Sequence, residues 1–268
     1  MSAEATRMDS STGHMSLVDH ITELRSRLMR SLIAVAIGAT IAWFLYQPMF
    51  DLLLGPLRAT APDSDLGQSL SGGALLADGP LTGFQVRIQL TTYAGIMFAM
   101  PMILWQLWKF VSPGLYDNEK KYGVTFMAVG TALFATGAAI AFWTLPKALE
   151  FLQSIGGDDN FVEFYTPQKY LKLIVFMMLS FGIGFEFPLL VTTLNVLGVV
   201  TTDTLRRIRR YVIVIVAVFV AVATPSGDPI SMLALTVPMC LLYEVSIVIG
   251  RLRDRRRRKA EASDSADA

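Results

Sequence analysis

Six stretches of this chain are apolar over lengths that matter to a bilayer, and nothing else in the sequence constrains the fold as strongly. They run approximately from Ser31 to Phe50, Ile88 to Phe110, Tyr122 to Leu145, Tyr170 to Val191, Tyr211 to Thr224 and Pro229 to Gly250. About 20 such residues cross the roughly 30 Å of hydrocarbon as a helix. In lipid every backbone N–H and C=O has to be bonded within its own segment, so helices are the natural solution. Only 17% of the residues are charged, against about 25% in a typical soluble domain. The expectation is an all-α integral membrane protein of six transmembrane helices in one domain, residues 16–250. A polar stretch, 1–15, precedes it, and a tail that is basic and then acidic, 251–268, follows; both are expected to be disordered by composition. The first 30 residues lack the short apolar core and small-residue cleavage site of a removable leader, so the first helix should remain in the mature protein. Cys240 is the single cysteine, inside an apolar run, and is read as packing.

The placement of charge sets the orientation. Of the 23 lysines and arginines, only Arg58, Arg87, Lys147, Lys169 and Lys172 fall on one side of the six segments. The remainder fall on the other, with the densest clusters at Arg206, Arg207, Arg209 and Arg210 and in the run "RLRDRRRRK" from Arg251. Both termini are therefore expected in the cytoplasm, with those clusters beside anionic lipid. The fifth segment offers about 14 apolar residues, or about 21 Å of helix, less than the hydrocarbon thickness. Spans five and six are thus expected to be short, over a thinned bilayer or beside covering protein. Pro101, Pro188 and Pro238 each remove a backbone donor inside a span, which predicts a kinked and curved bundle. Gly123, Gly130 and Gly137 recur every seven residues and should let another helix approach closely. The external segments 51–87 and 146–169, the second with a short helical piece around "PKALEFLQS", read as a cap over the helix ends.

With so few charges, acids in or beside the membrane are the best functional pointers. Glu23 stands on a helical stretch with His20 three residues before and Arg27 four after. Spacing alone leaves two readings open: an exposed helical ion pair worth about 0.3–0.5 kcal/mol, or a site for an arriving cation. Asp117 and Glu119, in "KFVSPGLYDNEKK", are similarly either a solvated helix start or part of that site. The two elements share the cytoplasmic face, which suits a ligand with fixed positive charge, arginine above all, because its fork donates two parallel hydrogen bonds to one carboxylate. Glu186, in "GIGFEFP", lies deep in span four and has to face protein or water. Glu244 lies seven residues before Arg251 and leans toward the inner surface.

In order along the chain, "HITELRSRL", "GPL", "PMILWQLWKFVSPGLYDNEKK", "FGIGFEFP", "ATPSGDPIS" and "VPMCLLYE" resemble the TatC family of the twin-arginine protein translocase, from about Ser16 to Gly250. The resemblance implies a plasma-membrane receptor that binds twin-arginine signal peptides of folded cargo proteins. It implies a binding patch at Glu23 and Glu119 with Leu24, Arg25 and Phe110 nearby, and an intramembrane polar contact at Glu186. It also implies a sensitive first-loop proline at Pro56, single-span partner subunits TatA and TatB docked along the last two helices, and further copies of the chain in the complex. Family members often carry glutamine at the position of Met232, so the polar network near Glu186 is expected to rely on Ser231 or Thr236.

The alternative is a proton-coupled secondary transporter with Glu186 as the ion site, since prolines permit discontinuous helices; the two halves show no evident repeat, however. No catalytic residue, cofactor or metal is expected. The two histidines, His14 and His20, lie outside the spans, and neither a His/Cys cluster nor a Gly-rich phosphate loop occurs. Nucleic-acid binding is not expected of the arginine tail.

Overall fold

The computed structural model describes residues 17–60, 79–111, 123–156, 167–224 and 227–264. These form seven helices and no strand: α1 Leu17–Phe44, α2 Tyr46–Thr60, α3 Thr82–Val111, α4 Gly123–Gly156, α5 Pro167–Val196, α6 Thr202–Ala223 and α7 Pro229–Asp264. Five of them, α1, α3, α4, α5 and α7, are long and apolar enough to cross a membrane. α6 falls outside that group because its first half carries Arg206, Arg207, Arg209 and Arg210.

Helix ends depart from the apolar boundaries for local reasons. The first apolar run divides at Leu45, because Pro48 has no N–H for the Phe44 carbonyl and its ring crowds that carbonyl; the chain re-enters helix as α2. α4 passes Leu145 and continues through Pro146 to Gly156, so the external helical piece around "PKALEFLQS" is the same helix as span three. α7 likewise runs on past Gly250 to Asp264, so residues 251–264 of the expected disordered tail are helical. Arginine, lysine, alanine and glutamate are good helix formers, and loss of apolarity marks where a helix leaves lipid rather than where it stops. α5 ends in a Schellman arrangement. Gly198 takes a φ of 75°, a left-handed conformation that suits glycine, with Gly198 N–H on the Asn195 carbonyl and Val199 N–H on that of Leu194. The Thr201 hydroxyl then caps α6 by accepting from Thr204 N–H, and the Asp228 carboxylate caps α7 by accepting from Ser231 N–H at 2.6 Å.

Small residues set the packing. α1 meets the bundle chiefly through α3, along Ala34, Gly38 and Ala42 on one side and Thr91, Gly95 and Ala99 on the other. A β-carbon on Gly38 would lie 2.6 Å from the Gly95 carbonyl oxygen, and one on Gly95 would lie 2.6 Å from the Ala39 nitrogen. Backbone therefore touches backbone, the close approach that replaces the hydrophobic effect between helices in lipid. The seven-residue glycines of α4 act as expected. Gly123 receives Trp108, Gly130 receives Leu104 and Leu189, and Gly137 lies under the Phe181 backbone, so one face of α4 takes both α3 and α5. Buried threonine hydroxyls bond back to carbonyls four residues earlier, as Thr91 does to Arg87 and Thr192 to Pro188, and need no water. At the end where α1 stops, Arg87 lies over the Trp43 ring at 4.2 Å and donates to the Trp43 carbonyl, pinning the α1/α2 corner to α3.

Because the Gly38 and Gly95 β-carbons would meet backbone, which cannot give way, Gly95→Val should cost roughly 1–3 kcal/mol through overpacking. Thermal unfolding of the purified protein in detergent should show a lowered midpoint, and Gly83→Ala, in open space, should leave it unchanged.

Candidate functional site: the α1/α3 seam and the buried glutamate

Two contacts fix the register of α1 against α3. Gly38 meets Gly95, and further along α1 Trp43 meets Arg87, so the helices run antiparallel. Equal rise in both helices, counted the other way from Gly38 and Gly95, brings Arg27 level with Gln106 and Glu23 level with Phe110. Burial agrees, since Glu23, Arg27, Ser31, Ala34, Gly38 and Ala42 form the sheltered stripe of an otherwise exposed helix, while Gln106 is buried.

Glu23 is indeed paired with Arg27, but not as a freely solvated surface pair. The two side chains are 22% and 15% exposed, and both Arg27 Nε, at 3.0 Å, and Arg27 Nη2 donate to the same oxygen, Oε1. The other oxygen, Oε2, is buried and has no hydrogen-bond partner. An ideal fork places one N–H on each carboxylate oxygen; the four-residue spacing along one helix brings both to one. Gln106 repeats the pattern. Its amide nitrogen donates to Met102 Sδ at 3.8 Å, while its Oε1 is buried without a partner. A buried acceptor left unsatisfied costs about 1–3 kcal/mol, so the seam holds two unused acceptors at adjoining depths. Leu24 and Arg25, by contrast, are exposed and lie off the seam stripe. Phe110 is half-buried, and Lys109 beside it lies over the Trp105 ring at 5.0 Å. Asp117 and Glu119 lie outside the described residues.

Glu186 is buried on α5, facing α4, where the absent side chain of Gly130 leaves room for it: a β-carbon there would lie 3.1 Å from Oε2, with Leu104 and Leu189 alongside. Neither carboxylate oxygen has a hydrogen-bond partner. The network expected from Ser231 or Thr236 does not form. α5 and α7 run parallel, with Gly184 against Met239 and Thr192 Oγ1 bonded to Ser246 Oγ at 2.7 Å. That register sets Ser231 about ten residues, or about 15 Å, from the depth of Glu186, and Thr236 about half as far. The Ser231 hydroxyl is buried and itself unpartnered.

The matching part of a family profile described as Sec-independent protein translocase protein (TatC) spans residues 19–238, most of the chain. The chain belongs to the TatC family. It is similar to the TatC of Frankia casuarinae, with 42% identity over 258 residues, 94% of this chain and 70% of that one. It is also similar to the TatC of Aquifex aeolicus, with 32% identity over 249 residues, 92% of this chain and 99% of the other. Among solved structures, the twin-arginine translocase receptor TatC crystallised in DDM superposes with a TM-score of 0.72 at 32% identity, covering 86% of this chain and 99% of that one. TatC proteins are membrane components of a protein translocase, and that assignment holds for this chain.

Sequence reasoning missed Gln106 and the cluster that fastens the end of α5. Asn195 Nδ2 donates to the Val200 carbonyl, and Arg253 Nη1 donates to the carbonyls of Asn195 and Val196. A cation at a helix carboxyl end is favourable, and the tail residue Arg253 is thereby part of the folded domain. Arg209 meets Glu244 at 2.6 Å across α6 and α7, so Glu244 is occupied structurally. The signal for Gln106 was its place in "PMILWQLWKF", an amide inside an apolar run, at the spacing of Gly95 and Ala99.

With no partner for either oxygen, Glu186→Gln should leave detergent stability unchanged or raised. A buried ion pair broken in the same way would cost about 3–5 kcal/mol, and chemical unfolding separates the two outcomes.

Proposed function

We propose that this chain is the receptor subunit of the twin-arginine translocase, binding paired-arginine signal peptides of folded cargo at the end of the bundle where α1 begins. The observation that carries the reading is the half-buried Glu23 carboxylate, with one oxygen lacking any donor, at the depth of Phe110. A guanidinium is the ligand whose geometry satisfies two oxygens at once. Glu119 supplies the second carboxylate from the connection between α3 and α4, and Leu24 and Arg25 flank the site on the outer face of α1. A protein known as a twin-arginine translocase receptor shares this fold.

In this reading α6 is the sixth span and both termini are cytoplasmic, in a plasma membrane, with the arginines of α6 and of the α7 extension at the inner surface. TatA-type and TatB-type single-span subunits dock along α6 and α7, where Val214, Val218, Val222, Leu233, Val237 and Leu241 face outward, and further copies of the chain complete the complex. Glu186 serves as the intramembrane polar contact, and Pro56, buried within α2, shapes the opposite cap. A proton-coupled transporter gains nothing from the geometry: no hydrogen-bonded relay reaches Glu186 among the described residues.

Glu23→Gln combined with Glu119→Arg should abolish crosslinking of a twin-arginine peptide to the receptor in membranes, while insertion of the receptor itself remains normal. Undiminished crosslinking by correctly inserted protein would overturn the assignment.

A further inference from the structure

The Glu23 carboxylate is not vacant. The guanidinium of Arg27 already holds Oε1 through two nitrogens, and Oε2 is buried, so it is out of reach of a second guanidinium while Arg27 stays in place. An arriving arginine cannot simply add to this arrangement. It has to take over the carboxylate, and the displaced Arg27, 15% exposed in its present position, then needs an acceptor of its own within the sheltered seam. One is available at the same depth on the facing helix. Gln106 is 4% exposed, spends its amide nitrogen on Met102, and has an oxygen with no partner.

We propose that the site works by guanidinium exchange: Arg27 occupies Glu23 as a resident competitor in the empty receptor, an incoming arginine displaces it, and the amide oxygen of Gln106 receives it. This inference rests on Glu23 being the carboxylate that binds the signal peptide. It gives the site a specificity device as well as an affinity. A lysine ammonium is a point charge without the fork, so it competes poorly against a guanidinium already seated through two nitrogens. A paired set of two arginines on the peptide offers both the fork and a second attachment. Arg27 is thus a specificity-determining residue and Gln106 a positioning residue that acts through it.

The test uses the purified full-length chain in detergent, a fluorescent peptide carrying a twin-arginine signal sequence, and its twin-lysine counterpart. Arg27→Gln removes the competitor, so the Kd for the twin-arginine peptide should fall roughly threefold to tenfold, the range between an exposed and a part-buried pair. The twin-lysine peptide should gain by a larger factor. Gln106→Leu should weaken twin-arginine binding in the otherwise unaltered chain and have no effect in the Arg27→Gln background, a coupling that a merely structural role for either residue would not produce. If Arg27→Gln does not accumulate, Arg27→Lys should shift both peptides in the same direction by less. An unchanged or raised Kd in the Arg27 variants, or additive effects in the double variant, overturns the exchange while Glu23→Gln still abolishes binding. Should Glu23→Gln leave the peptide bound, the reading of the site itself fails, and the exchange with it.

Discussion

The contact of Gly38 with Gly95 is the constraint from which the rest of the near end of the bundle follows. α1 presents most of its apolar surface outward, with Ile33, Ile37 and Ile41 all exposed, and in lipid such surface provides no reason to associate. What holds it is a narrow line of small residues where backbone rests on backbone. A line so narrow admits one register, because sliding by a turn would replace glycine with isoleucine or methionine at the point of contact. Register in turn decides depth, and depth sets Glu23 beside Phe110 and Arg27 beside Gln106.

Unsatisfied polar atoms gather at the places the fold does not need them for stability. Elsewhere the membrane helices meet the demand for donors and acceptors locally: threonines bond to the preceding turn, the Tyr170 hydroxyl donates to the Leu53 carbonyl, and the Tyr243 hydroxyl donates to that of Leu205. Against that thrift, Glu23 Oε2, Gln106 Oε1 and both oxygens of Glu186 stand out. Strain of this kind persists where the surrounding structure determines a side chain's position and function uses the unfilled capacity. The α1/α3 seam and the space left by Gly130 are two such positions on the same three neighbouring helices.

The α5–α6 turn shows a different economy. α6 carries four arginines before its apolar half and is short for a span, so it gains little from length. Instead it is fastened at its start, by the Gly198 turn, by Asn195 reaching Val200 and Thr202, and by Arg253 reaching back from α7. The extension of α7 beyond the apolar region is therefore used to hold the carboxyl end of α5.

Much of this protein was determined by its sequence alone, because lipid admits few solutions. Apolar length specified the spans, the asymmetry of lysine and arginine specified an orientation, and the glycines of α4 specified a close-packing face. The ordered motifs indicated the family. Sequence also named Glu23 and Glu186 as the acids of interest, since a charge in an apolar run is visible without knowing its neighbours. What it could not decide was what those acids touch. Whether Arg27 pairs with one oxygen or two, and that Gln106 lies opposite it, depends on the α1/α3 register. That Ser231 lies too far along its helix to reach Glu186 depends on the parallel offset of α5 and α7. Such facts are settled between helices, by where small residues let two backbones meet, and a one-dimensional pattern carries the composition of each face but not the rotation and offset that bring two faces together.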